Sequence, residues 1–115
     1  MNGTPGLIIA SDLGLCLRTF SDIPAVVGDC IGSAGLILTE NDLGPEFFDL
    51  RTGLAGEAFQ KFTNYRIRVA IVLPVPTEYG ERFGELAHEH RSHNMIRFVS
   101  SLDEAKSWLL SAARD

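Results

Sequence analysis

The chain has 115 residues, 45% of them hydrophobic and 22% charged, which suits one domain over residues 1–115 with its own core and excludes a disordered chain. The apolar run Val69–Leu73 is far shorter than the roughly 18 residues of a membrane span, and Met1–Gly6 carries no basic side chain ahead of Leu7–Ala10, so neither a membrane anchor nor a secretory leader is expected. The net charge is −5 and no segment is strongly basic, so a nucleic-acid partner is not expected.

The elements follow in chain order. Leu7–Ala10 is a short strand, Ser11-Asp12-Leu13-Gly14 a turn and Leu15–Thr19 a second strand, together an N-terminal β-hairpin. Ser21 and Asp22 offer helix caps, and Pro24 suits a first turn. Ile23, Val26, Val27, Cys30 and Ile31 then recur on one helix face, with Gly32 and Gly35 ending it. Cys16 and Cys30 have apolar neighbours and no Cys-x-x-Cys spacing. They read as small buried side chains in a reducing cytoplasm, the alternative being a thiol activated by Arg18.

Gly35–Thr39 contains the unbroken run Leu36-Ile37-Leu38, the mark of a strand buried on both faces of a parallel sheet. Glu40–Gly44 is a loop. From Pro45 to Asn64 the apolar residues cover half a helical wheel, but Arg51 falls inside that arc, where an unpaired charge is costly. A short turn at Pro45–Phe48 is therefore expected, then a helix from near Thr52 capped by Asp49 or Thr52. Gly53 and Gly56 inside it would mark close approach of a neighbour.

Arg66–Leu73 is the central strand. Arg66 and Arg68 would point to one face of it, as a solvated strand start or, alternatively, a phosphate site. Pro74 and Pro76 stop the strand. Glu78–Arg91 is a helix with the stripe Tyr79, Phe83, Leu86, Ala87 and His90; Met95–Val99 is a strand. Ser101 and Glu104 form a capping-box pattern ahead of a last helix whose buried face is Leu102, Ala105, Leu109 and Ala113.

Few residues carry a chemical signal. His88 and His90 are two apart and point away from each other on a helix, so they and His93 do not make a metal site. There is no Gly-x-Ser-x-Gly elbow, phosphate loop or dinucleotide fingerprint. No catalytic residue, metal or cofactor is expected.

Three segments resemble a known family: Glu46-Phe47-Phe48-Asp49-Leu50, Thr52-Gly53-Leu54-Ala55-Gly56-Glu57, and Gln60-Lys61-Phe62 with Asn64-Tyr65-Arg66. They are similar to the bacterial family catalogued as domain of unknown function 4180, most strongly from Pro45 to Val72. The Leu73–Thr77 loop and the histidines around Glu89 depart from it. That family is similar in fold to anti-sigma-factor antagonist (STAS-type) domains. The resemblance implies a mixed sheet in simple superhelical order with helices mainly on one side. It also implies a phosphorylatable hydroxyl followed by Gly-Leu at a helix start, a place that Thr52-Gly53-Leu54 would fill, with Asp49 nearby. The plain alternative for Thr52 is a helix cap.

The expected fold is thus α/β: a mixed, mostly parallel sheet of about five strands with about four helices, STAS-like. The expected function is a non-catalytic regulatory or protein-interaction module in the cytoplasm. Phe47, Phe48, Phe59, Phe62 and Tyr65 would form its interface with a second copy of the chain, as a homodimer, or with a regulatory protein. One alternative is a small-ligand site or enzyme pocket at the carboxyl ends of the strands, near Glu40, Asn41, Leu73 and Pro74. The other is the phospho-switch at Thr52.

Overall fold

The computed structural model describes residues 6–113. Residues 1–5, on which the leader reading rests, and the side chain of Ala113, expected to be buried, lie outside the described residues. Four strands form one sheet: β1 (Leu7–Ile9), β2 (Gly35–Thr39), β3 (Val69–Val72) and β4 (Ile96–Val99). They lie in sequential order and pair in parallel throughout, with Leu36 opposite Val69 and Val69 opposite Ile96.

This order fixes where the helices go. Every crossover steps the same way across the sheet, and parallel crossovers are right-handed, so the connecting helices share one face. These are α1 (Ile23–Cys30), α3 (Leu54–Asn64) and α4 (Glu81–Glu89), with the single turn α2 (Pro45–Phe48) ahead of α3. Their buried residues, among them Val26, Leu54, Phe62 and Phe83, pack on Leu36, Leu38, Val69, Ile71, Ile96 and Phe98. Helix α5 (Leu102–Ala113) covers the opposite face, where Ala105 and Leu109 meet Ile37, Ala70 and Val99. Both faces of β2 and β3 are therefore dry, which is why their apolar runs are unbroken.

The hairpin does not form. Ala10–Leu13 is a 3-10 turn closed by Gly14 at φ +69°, and Leu15–Thr19 is not a strand. The Asp22 carboxylate accepts the N–H groups of Arg18 and Thr19 at 2.9 and 3.0 Å, which curls the chain into a further 3-10 turn at Phe20–Asp22. Those donors are then lost to any ladder. Leu17 keeps a single parallel bridge, to Leu43. Hence among the described residues the sheet has four strands, all parallel, rather than about five in a mixed arrangement.

The break expected at Arg51 is present. Leu50–Thr52 is a 3-10 turn, and Gly53 at φ +83° turns the chain into α3 two residues after Thr52. With the added turn α2 the described residues hold five α-helices rather than about four. Gly56 has no neighbour within 4 Å of the place a Cβ would occupy, so the close approach expected there is absent. Gly56→Ala is expected to stabilise the chain by about 0.5–1 kcal/mol, read as a higher denaturation midpoint.

Helix α3 ends on Arg66 at φ +58°. The Arg66 N–H donates to the Thr63 carbonyl at 3.1 Å and the Ile67 N–H to the Phe62 carbonyl at 2.8 Å, the bond pair of a Schellman ending. Glycine usually holds that position, and an arginine there costs about 1 kcal/mol. Strand β3 therefore starts at Val69, and Arg66 lies outside it. The helix expected from Glu78 starts at Glu81, because Pro76–Tyr79 forms its own 3-10 turn and Gly80 intervenes. Half of the capping box expected ahead of α5 forms: Ser101 Oγ accepts the Glu104 N–H at 3.1 Å, but the Glu104 carboxylate accepts the Ser100 N–H at 2.9 Å, one residue ahead of the cap, rather than that of Ser101. Leu102, expected on its buried face, is 38% exposed. Among the described residues no helix is long and apolar enough to cross a membrane.

Candidate functional site

Sequential strand order offers no reversal at which a crevice would open between neighbouring strands. A cleft forms for another reason: the connections leaving β2 and β3 splay apart at the carboxyl edge. After β2, Glu40–Asp42 makes a 3-10 turn anchored by Asp42, whose buried carboxylate accepts the Thr39 N–H at 2.8 Å and the Thr39 hydroxyl at 3.0 Å. The chain then runs through α2 and the Leu50–Thr52 turn. After β3 it runs through Pro76–Tyr79 into α4. Between these two arms lies an open cleft of about 980 Å³, walled by Leu43, Phe48, Leu50, Tyr79 and Phe83.

One aromatic pair organises the cleft. Phe48 and Tyr79 stack with centroids 3.7 Å apart and planes 8° from parallel. The Tyr79 hydroxyl donates to Glu40 Oε2, which ties the second arm back to the first. That bond to a carboxylate, reinforced by desolvation, pushes the phenol up to about 12. Tyr79 is therefore neutral across the physiological range and is not a general base there. The rim carries both signs of charge. Asp49 pairs with Arg51 through two side-chain bonds of 3.0 and 2.9 Å, which hold the Asp49 carboxyl below the usual carboxylate range. Glu81 and Arg82 complete the rim.

The residues expected around a ligand divide in two. Glu40 and Asn41 line this cleft, whereas Leu73 and Pro74 line a separate concavity of about 290 Å³ with Pro76, His88 and Phe98. Tyr79 and Arg82 are cleft residues that sequence reasoning misses. The Pro76 and Gly80 punctuation is the one signal that Tyr79 leaves the helix.

Thr52 is held by its own turn. Its hydroxyl lies 2.8 and 2.9 Å from the Glu46 and Asp49 carbonyls, and its oxygen accepts the Leu54 N–H at 3.2 Å. Asp49 caps the Leu50–Thr52 turn rather than α3, accepting the Arg51 N–H at 3.1 Å. Of the five aromatic residues assigned to a partner surface, Phe47, Phe59 and Phe62 are buried in the chain's own core. That corrects their assignment to an exposed interface: the sheet face is wide enough to need them. Phe48 lines the cleft, and Tyr65 is 52% exposed.

Cys30 is fully buried, and burial pushes its thiol up to about 11. Among the described residues no three His, Cys, Asp or Glu side chains are grouped closely enough to hold a metal ion. His93 serves the start of β4, where its Nδ1 accepts the N–H groups of Met95 and Ile96, each at 3.1 Å. Desolvation first, then the charges of His90 and Arg97, hold its imidazole below the usual value. A proton taken up at Nδ1 would break both bonds. The stability that neutral His93 contributes is present above the unfolded value of about 6.5 and falls as pH drops through the lower folded value. Urea midpoints should therefore fall between pH 7.5 and 5, and less steeply in His93→Asn, whose amide oxygen accepts without titrating.

The fold and the cleft together define a parallel α/β domain with an apolar recess outside the carboxyl ends of its strands. The chain belongs to the family described as Domain of unknown function (DUF4180), whose model matches residues 5–109. No curated protein and no solved structure matches the chain.

Proposed function

We propose that the chain is a non-catalytic binding module that holds a small, flat, largely apolar molecule in the carboxyl-edge cleft. The observation that carries this is the Phe48–Tyr79 stack, fixed by Glu40 and facing an open recess walled by leucine and phenylalanine. Apolar walls with a few convergent polar groups are the usual composition of a small-molecule site. Charge selects weakly here, because Asp49 answers Arg51 and Glu81 lies beside Arg82. The two arms of the cleft come from consecutive crossovers, so a bound molecule would draw them together. That is how such a module would report ligand to a partner in a regulatory role.

The superhelical strand order supports the likeness to STAS-type domains, and with it the regulatory reading. Self-association through the Asp42–Tyr65 aromatics has less support, since most of those rings fill the core. The direct test is a fluorescence titration with N-phenyl-1-naphthylamine, a neutral aromatic probe. Saturable binding at one probe per chain supports the reading. No enhancement, or unsaturable enhancement, contradicts it.

A further inference from the structure

At the opposite edge of the sheet, β1, β2 and β3 begin side by side. The Ala34 N–H donates to the Gly6 carbonyl at 2.7 Å, and the Leu36 N–H to the Arg68 carbonyl at 2.8 Å. These bonds bring Gly6, the Gly32–Ala34 turn and the Arg66–Arg68 segment together around a depression of about 420 Å³. Among the described residues its lining holds two arginines, Arg66 and Arg68, and no acidic side chain. Neither arginine is in an ion pair among the described residues. Two polar atoms there, Ser33 Oγ and Arg68 Nε, are buried with no hydrogen-bond partner in the described structure. A buried donor left unmatched is costly, and a guanidinium more so than a hydroxyl.

Arg66 adds an independent observation. It occupies the left-handed position that ends α3, where glycine would sit without strain. The helix ending is already satisfied by the Arg66 and Ile67 N–H groups, so it does not need the arginine side chain. Strain retained against an available relief points to a use for the side chain elsewhere.

We propose that this amino-edge depression binds a phosphate group, with Arg66 and Arg68 supplying charge-assisted donors and the Ser33 hydroxyl a further one. Guanidinium groups match phosphate oxygens through paired N–H donors, and a bound oxyanion satisfies both orphaned atoms at once. Gly6 and Gly32, at φ +86° and +84°, add no Cβ to the lining, and a phosphate that draws out the half-buried Arg68 side chain would give its Nε a partner. The competing explanation is that both arginines only face the carbonyl ends of α1 and α3, where cations are favourable. The two explanations differ in what phosphate does. The site is also distinct from the carboxyl-edge cleft, so its test leaves the naphthylamine titration untouched.

The experiment is a calorimetric titration of the full chain with inorganic phosphate and, separately, with glycerol 3-phosphate, against sodium chloride at matched ionic strength. Saturable binding of one equivalent is expected, weakened about tenfold or more in Arg68→Gln and severalfold in Ser33→Ala. Arg66→Gly is expected to weaken phosphate binding while raising the melting temperature, a pairing that a purely structural arginine would not give. Equal binding of the two anions assigns the site to phosphate itself, and tighter binding of the ester to a phosphorylated molecule; both support the proposal. No binding beyond the chloride control overturns it, as does unchanged affinity in Ser33→Ala together with Arg68→Gln.

Discussion

Replacing Phe47 with alanine is expected to cost about 3–5 kcal/mol of folding stability, read from urea denaturation. Phe47 is fully buried and is the hub of the aromatic cluster, edge-on to Phe48, Phe59 and Phe83 at centroid distances of 5.7, 6.1 and 6.0 Å. Its removal takes away the transfer energy of one ring, leaves a cavity, and forfeits three edge-to-face contacts. It also undercuts the cleft, because Phe48 and Phe83 rest on it from the wall side. A partner-facing Phe47 would behave otherwise: the same substitution would leave the denaturation midpoint near that of the parent and change association alone.

Phe48→Ala is expected to weaken N-phenyl-1-naphthylamine about tenfold or more, while Arg82→Ala changes the affinity less than about threefold. Phe48 is half-buried and supplies one half of the stacked pair. Burying an aromatic ring against it is worth roughly 1.5–3 kcal/mol, and about 1.4 kcal/mol is a factor of ten in affinity. Arg82 lies at the exposed rim, where a single charge beside water and Glu81 adds little for a neutral ligand. The phenol of Tyr79, pushed up to about 12 by Glu40, stays protonated between pH 6 and 9 and itself adds no pH dependence to binding there. By the same linkage, stability contributed by neutral Tyr79 is complete below about 10 and is lost as pH rises through 12. An equal loss of affinity in both variants would move the binding energy from the apolar wall to the charged rim.

The alternating apolar patterns carry most of the architecture. Leu36-Ile37-Leu38 and Val69–Leu73 announce strands covered on both faces, and that requirement alone demands helices on two sides. Arg51 discloses a break in the second helical segment, because a charge inside an apolar arc is too costly to leave unpaired. The N-terminal hairpin misleads for a physical reason. Leu15-Cys16-Leu17 has strand composition, but Asp22 sits five residues after Leu17 and captures the N–H groups a strand would need. Such a side-chain capture leaves no periodic trace.

The site is half legible. Glu40 and Asn41 follow an evident strand end, so a place at the cleft can be read from position. Tyr79 cannot, because its spacing also fits the stripe of the following helix; its hydroxyl reaches across 39 residues to Glu40, a pairing that no local pattern encodes. The aromatic concentration between Asp42 and Tyr65 suggests an exposed surface. A sheet face that carries three helices has room for Phe47, Phe59 and Phe62 beneath them, and core capacity is a property of the assembled layers rather than of one segment.

The place where an apolar ligand sits decides whether the carboxyl-edge cleft is a binding site. Amide ¹⁵N–¹H shifts recorded while N-phenyl-1-naphthylamine is added should move at Asn41, Leu43, Gly44, Leu50, Gly80 and Arg82, and stay still at Ser33, Arg66 and Arg68. Shifts confined to the β1–β3 starts, or scattered over the exposed faces of α4 and α5, would contradict a binding cleft at the carboxyl edge.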